Sequence, residues 1–341
     1  MKILEKNINI QDLKTFSSKQ LNELANEIRE FLLSLGKKKE IHLGSNLGII
    51  ELTIALFINF DFYRDKILYD TGHQTYIHKI LTNRINEVLN IKEKKTSCGL
   101  IELNSTIFDH YSPGHSGNTI SVLSGLYNEN NHYFVNIIGD AAINNGLAME
   151  GLLDIGFNKQ KIIIVINDNQ MSISKSVGSL TTYLNKIKKK RFSIHNYKNF
   201  FNNLGFAYIG KIDGHNIDQI NKAFKKAKKI VKNIPVIVHI KTIKGKGILD
   251  AEKSKDNSYH TLSLSNKITF GKVAYQNINE KLKNDKNIII INPAMNIGSG
   301  FAKMLNDWPQ NYFDVGICEE HAISKASGFC LNKKKVFIGG R

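Results

Sequence analysis

Apolar residues recur along the chain in two periods, and the alternation between those periods predicts the architecture. From Ser17 to Leu35 the positions Leu21, Leu24, Ala25, Ile28, Leu32 and Leu35 fall on one stripe at helical spacing. Ser17 and Gln20 suit a capping box at its start, and Gly36 suits its close. A second helix is expected from Asn46 to Phe60. "KILYDTGHQTYIHKILT" reads as a short strand, a histidine-containing loop and a helix that carries His78. "HYFVNIIGD" (His132–Asp140) and "KIIIVINDN" (Lys161–Asn169) are unbroken apolar runs, the pattern of strands buried on both faces of a parallel sheet. Gly146 to Gly156 between them is helical in character, so the three segments form a βαβ unit with a right-handed crossover. "GFAYIGKIDGHN", a lysine-rich helix from Ile217 to Val231 and "PVIVHIKTIKGKG" extend the same alternation.

A polar stretch from Lys244 to Asn266 interrupts the pattern and reads as a linker. Helix and strand then restart in "AYQNINEKLKNDKNIIIINPAM". The expected fold class is α/β. A parallel sheet flanked by helices occupies residues 1–243, a linker 244–266, and an incomplete second α/β domain 267–341. The last apolar run, in "KKKVFIGGR", reads as a strand whose sheet would continue, leaving an open edge.

Charge changes this picture little. The chain of 341 residues carries a net charge of +17, which by itself suggests an anionic partner such as nucleic acid, a membrane surface or a phosphorylated substrate. The basic residues are scattered, however, over Lys37–Lys39, Lys186–Arg191, Lys225–Lys229 and Lys333–Lys335. No aromatic residues interleave with them as a stacking platform would need, so no nucleic-acid partner is expected. Cys98, Cys318 and Cys330 form no CxxC pair and fit a reducing compartment. The charged N-terminal segment is not a signal peptide, and the apolar stretch Leu47–Phe60 contains Glu51 and is too short to span a bilayer. A soluble, cytoplasmic protein without a membrane partner is expected.

The chemistry sits where two apolar runs end. In parallel α/β sheets, ligands bind at the carboxyl ends of the strands, and Asp140 and Asn169 both lie at such ends. A carboxylate and an amide oxygen are hard donors suited to Mg2+, which usually also binds phosphate. The helix after Asp140 could direct backbone N–H groups at that phosphate, and Gly139, Ala141 and Ala142 permit close approach. A diphosphate bridged to the protein by a metal is therefore one reading. The other is that Asp140 caps a helix and Asn169 makes a turn.

Gly-Asp after a buried strand, followed by Asn one βαβ unit later, resembles the metal–diphosphate motif of thiamine diphosphate enzymes, with Ala141 in place of the motif's second glycine. More specifically, the chain resembles the 1-deoxy-D-xylulose-5-phosphate synthase family. The resemblance is carried, in order, by "HLGSNLGIIELTIAL", "YDTGHQTYIHKILTNR", "SPGHSGNTIS", "IGDAAINNGLAMEGL", "INDNQMSIS", "GFAYIGKIDGHN", "AMNIGSG" and "FDVGICEEHAISKASG". It covers nearly the whole chain.

The resemblance implies thiamine diphosphate and Mg2+ as cofactors, with Asp140, Asn169 and the backbone carbonyl of Met171 as metal ligands. It places His73, Gly114, His115 and Ser116 around the cofactor, Ala141 and Ala142 at its diphosphate through their backbone, and Lys253 near phosphate. Ile248 stands where the family tends to have an aromatic residue beside the cofactor. Glu319 in "CEEHA" matches the glutamate that hydrogen-bonds the cofactor's aminopyrimidine ring, and Glu320 stands where the family tends to have Gln. Such a glutamate is expected to be buried with a raised pKa. The alternative is a surface Glu-Glu pair at a helix start. His42, His73 and His260 are the implied proton carriers, although each histidine read alone fits a structural role.

The implied activity joins pyruvate, with loss of CO2, to glyceraldehyde 3-phosphate, giving 1-deoxy-D-xylulose 5-phosphate for isoprenoid precursors. The implied assembly is a homodimer. Two further departures stand out. The stretch between "MSIS" and "GFAYIG" is short for the family. The family also completes its pyrimidine-binding domain and adds a third, so the chain is expected to be a synthase reduced to its first half or one part of a split enzyme that needs a second polypeptide.

Overall fold

The computed structural model describes residues 9–91, 99–114, 116–130, 132–171, 176–187, 199–253, 270–296 and 298–339. The chain opens with α1 (Ser18–Lys38), whose start is the expected capping box: the Gln20 N–H donates to the Ser17 hydroxyl, and Gln20 accepts from the Ser17 N–H. Its stripe of Leu21, Leu24, Ile28, Leu32 and Leu35 is buried in the main core.

The second expected helix is split into α2 (Leu43–Gly48) and α3 (Ile50–Asn59). Packing accounts for the break at Ile49. The Asn46 amide is engaged by the neighbouring loop, donating to the His73 carbonyl at 2.6 Å and accepting the Tyr76 N–H at 3.1 Å. A Cβ on Gly48 would stand 2.9 Å from the Ile243 carbonyl oxygen, so the chain can pass there only at a glycine.

Strand β1 (Lys66–Tyr69) leads through a loop into α4 (Tyr76–Leu81) and α5 (Ile85–Leu89). Helix α6 (Thr119–Leu126) precedes β2 (Phe134–Gly139), α7 (Gly146–Phe157) and β3 (Ile162–Asp168), which make the expected βαβ unit. Helices α8 (Ser179–Lys186) and α9 (Phe200–Asn203) lead to β4 (Ala207–Asp213), α10 (Ile217–Ile230) and β5 (Val236–Lys241). The five strands form one wholly parallel sheet in the order β1-β2-β3-β5-β4.

Every residue of β3 is buried, and its side chains alternate between two cores. Ile163 and Val165 join the core shared with α1, α3 and α10. Ile162, Ile164 and Ile166 join the core shared with α6 and α7. Burial of each such side chain stabilises by about 1.5–3 kcal/mol, which is why the strand sequence shows no polar alternation.

The stretch expected as a linker begins inside this unit. Lys244 is buried, the Gly245 N–H donates to the Gly44 carbonyl at 2.8 Å, and α11 (Leu249–Lys253) follows. The rest of the linker, 254–266, lies outside the described residues. Beyond it, α12 (Phe270–Asn284), β6 (Ile288–Asn292), α13 (Met304–Asp307), β7 (Tyr312–Asp314), α14 (Glu319–Leu331) and β8 (Lys335–Ile338) build a second parallel sheet in the order β7-β6-β8. Ile288 and Ile290 pack with α12 on one face, Ile289 and Ile291 with Ala322 and Ala326 of α14 on the other. β8 is an edge strand on which Phe337 and Ile338 are exposed. Among the described residues no helix is long and apolar enough to cross a membrane.

Candidate active site

The parallel register brings Asp70, Asp140, Asn169 and Thr242 to one edge of the first sheet. The Asp70 N–H donates to the Ile137 carbonyl, the Asp140 N–H to Asn167, and the Thr242 N–H to Asp168. Asp140 is buried, and its Oδ1 accepts the Asn169 N–H at 3.3 Å. The two residues that end the apolar runs therefore meet on the same side. The Asn169 amide oxygen in turn accepts the Met171 N–H at 3.0 Å.

Asp140 Oδ2 is buried and accepts no hydrogen bond within 3.5 Å among the described residues, although the nearby Ser176 hydroxyl, itself buried and unbonded, favours the charged form. A buried lone carboxylate oxygen is costly unless something fills the place beside it. Burial, and then the Asp168 carboxylate, push the Asp140 pKa up to about 7. A divalent cation reverses that preference, because it holds a ligand carboxylate in the charged form. Among the described residues no group of three or more His, Cys, Asp or Glu side chains could hold a metal ion. A metal at Asp140 would thus need an amide, a carbonyl and phosphate or water as its other ligands, the donor set typical of Mg2+. The orphaned oxygen and this donor set fit Mg2+ with a diphosphate. A Cβ added at Gly139 would meet nothing within 4 Å, which leaves space beside Asp140.

Lys244, placed in the linker by its polar surroundings, belongs to this edge. It is buried, with the Asp140 carboxylate favouring its charge, while burial lowers its pKa to about 7. It stands three residues beyond β5, on the chain leaving the strand end, and that position was the signal available in the sequence. Asp168 was also missed. It accepts from His239 Nε2 at 2.7 Å, and His239 Nδ1 lies 2.5 Å from the Tyr208 hydroxyl.

The two histidines expected at the cofactor come together. The His42 and His73 rings stack with centroids 4.4 Å apart, and the Asn46 amide donates to both of their carbonyls. Gly114 and Ser116 lie on a loop fastened by Asp70, whose carboxylate accepts the Gly117 N–H at 2.9 Å and the Thr119 hydroxyl at 2.6 Å. Gly117 has φ of +112°, and its Cβ would collide with Asn145, so only glycine closes this loop. The Ser116 hydroxyl is 3.5 Å from that of Thr71. His115 and His260 lie outside the described residues.

Two expectations need correction. The helix expected from Gly146 is α7, but its N-cap is Asn145 and not Asp140, since Ala142–Asn144 form a 3-10 turn between them with Ala142 buried in the core. One of the first N–H groups of α7, that of Leu147, is capped by Asn145 Oδ1 at 2.9 Å. Glu319 is exposed at the start of α14 rather than buried, with Glu320 exposed beside it. Its segment nevertheless docks next to the turn after Asp140, where Asn145 Nδ2 donates to the Ile317 carbonyl at 3.3 Å and the Cys318 thiol to the Asn144 carbonyl at 3.4 Å. Ile248 packs half-buried on the α1–α3 core, and Lys253 is exposed at the end of α11.

The 1-deoxy-D-xylulose-5-phosphate synthase family profile matches residues 4–199 and 188–242. Synthases bearing that name from Malacoplasma penetrans and Clostridium acetobutylicum are 40% and 37% identical over 98% of this chain. The chain spans 62% and 61% of their lengths. Among solved structures, transketolases from Leishmania mexicana and Campylobacter jejuni superpose with TM-scores of 0.57 and 0.55 at 15% and 17% identity. Each superposition covers 93% of this chain and 63% or 64% of the other, so the α/β fold is transketolase-like. By its sequence the chain belongs to the 1-deoxy-D-xylulose-5-phosphate synthase family.

Proposed function

We propose that this chain takes part in the thiamine diphosphate-dependent joining of pyruvate, with loss of CO2, to glyceraldehyde 3-phosphate, forming 1-deoxy-D-xylulose 5-phosphate. The observation that carries the reading is the buried, unpartnered Asp140 oxygen beside Asn169, in a chain of this family. Thiamine diphosphate, when bound, supplies the electron sink that lets pyruvate release CO2 and its remaining two carbons join the aldehyde.

The protein's part is to bind, orient and move protons. Asp140, the Asn169 amide oxygen and the Met171 carbonyl would hold Mg2+, with phosphate oxygens completing its shell. The Lys244 ammonium would offset the diphosphate charge from the β5 side. Ala141 and Ala142 would offer backbone, and the loop of Gly114, His115 and Ser116 would close over the cofactor with His73. Glu319 would hold a proton at the aminopyrimidine ring. His42, His73 and His260 would carry protons to and from the reacting oxygens. A homodimer working in the cytoplasm completes this reading.

The test is a product assay on the full chain with both substrates, thiamine diphosphate and Mg2+, alone and with cell extract. Formation of the five-carbon phosphate supports the reading; no product under either condition rejects it. A second reading is that the chain holds the cofactor but needs a second polypeptide. The exposed Phe337 and Ile338 on edge strand β8 favour it, and product formed only in the presence of extract would select it.

A further inference from the structure

Away from the strand-end site, Arg29, Glu51 and His215 form a charged cluster. It draws on three separate elements: Arg29 lies in α1, Glu51 in α3, and His215 follows β4. All three side chains are largely buried, with relative exposures of 12%, 8% and 12%. Arg29 Nη2 donates to Glu51 Oε1 at 2.6 Å, and His215 Nδ1 lies 3.1 Å from Glu51 Oε2.

Arg29 Nη1 stays within α1, on the Ala25 carbonyl and Asn26 Oδ1 at 3.5 Å, and the cluster's other side-chain bonds reach the backbone of one segment. The Ile243 N–H donates to His215 Nε2 at 2.9 Å. That bond makes Nε2 the acceptor and leaves the proton on Nδ1, from which it donates to Glu51. Arg29 Nε donates to the Lys246 carbonyl at 3.2 Å. The two grips fall on either side of Lys244, which is buried two residues beyond Thr242 at the strand ends. Gly247, at φ of +98°, presses against the guanidinium stem, and a Cβ there would lie 2.6 Å from Arg29 Cδ. A cluster serving only to join α1 to α3 would have no need to end on Ile243 and Lys246.

We propose that Arg29, Glu51 and His215 are positioning residues that brace the turn 243–247 from beneath and so hold Lys244 at the strand ends where the cofactor's diphosphate binds. The inference rests on the cofactor reading above. The brace touches neither substrate nor cofactor. It keeps a long, flexible lysine directed into a buried place that it would otherwise leave for solvent.

Amide exchange on the cofactor-free chain, paired with calorimetric titration of thiamine diphosphate in Mg2+, tests it. His215→Phe fills the ring's volume without either hydrogen bond. The expected result is exchange about tenfold faster at Ile243 and Gly245 with β2 and β3 unchanged, and a Kd about tenfold weaker, or about 1.4 kcal/mol. His215→Gln, which offers one donor and one acceptor, restores both. Arg29→Met serves as a second removal should His215→Phe fail to fold. A folded His215→Phe or Arg29→Met chain that keeps wild-type affinity overturns the brace, as does unchanged exchange at Ile243 and Gly245. Absence of any binding by the wild-type chain instead overturns the cofactor reading, and the brace's purpose with it.

Discussion

The two sheets place the two carboxylates of the proposed chemistry in opposite settings. Asp140 ends a strand buried on both faces, in a five-stranded sheet closed by helices on each side. Glu319 starts a helix that covers one face of a three-stranded sheet, and it is exposed. The first group's charge is set by its surroundings; the second faces solvent at a helix N-terminus. The half of the site that would grip a diphosphate is therefore preorganised by this chain's own core. The half that would act on the cofactor's ring is only brought near it, through Ile317 and Cys318 on Asn144 and Asn145.

The largest expected effect breaks this contrast directly. Asp140→Asn keeps the volume and removes the charge. It should weaken Mg2+-dependent binding of thiamine diphosphate by about 100-fold, or about 2.7 kcal/mol. Glu319→Gln should change that affinity by less than about threefold, or under about 0.7 kcal/mol. Calorimetry on both variants decides. Equal losses would mean that the two carboxylates are not separable in this way.

A smaller effect sharpens the comparison through pH. His78 is wholly buried in the first unit, its Nε2 on Asp109 at 2.9 Å and its ring among Phe57, Phe62 and Tyr69. Its Nδ1 has no partner among the described residues, so a second proton would have nowhere to donate. Burial lowers its pKa, against the pull of Asp109. Burial and the Lys66 charge lower that of His110 to about 4. Both folded values lie below the unfolded value of about 6.5. Their contribution is present above that pH and is lost as pH falls through it, at about 1.4 kcal/mol per pH unit for each proton the unfolded chain takes up and the folded chain refuses. Denaturant melts between about pH 7 and pH 5 should show it. Trp308, the chain's one tryptophan, donates to Asn279 within the second unit. Its fluorescence should shift less with pH than the circular dichroism dominated by the first unit. Coincident shifts would show that the two cores unfold as one.

Much of this division was legible in the amino-acid order, and for identifiable reasons. Continuous apolar runs marked β2 and β3 because both faces of those strands are covered, and the stripe and capping box of α1 repeat its geometry. Asp140 and Asn169 could be paired because parallel strands deliver their ends to one edge. What escaped depends on contacts distant in sequence. The break at Ile49 comes from Asn46 and Gly48 meeting residues far along the chain. Lys244 was hidden because a buried lysine has the same letter as a solvated one, and only the fold around it makes the difference. Glu319 erred in the other direction. The resemblance carried its role, but its burial depends on what covers α14, and the described residues leave it open.

The smallest expected effect tests whether the second sheet is needed for cofactor binding at all. Phe337 and Ile338 are exposed on β8, the edge of that sheet. An uncovered apolar edge strand invites pairing between chains. Phe337→Lys places a charge on that edge, away from the strand-end site of the first sheet. It should reduce self-association, read by light scattering, and leave the affinity for thiamine diphosphate and Mg2+ within about twofold of wild type, or about 0.4 kcal/mol. If affinity falls along with association, the diphosphate site is not the property of one chain. The first sheet would then bind its ligand only within an assembly that β8 helps to form.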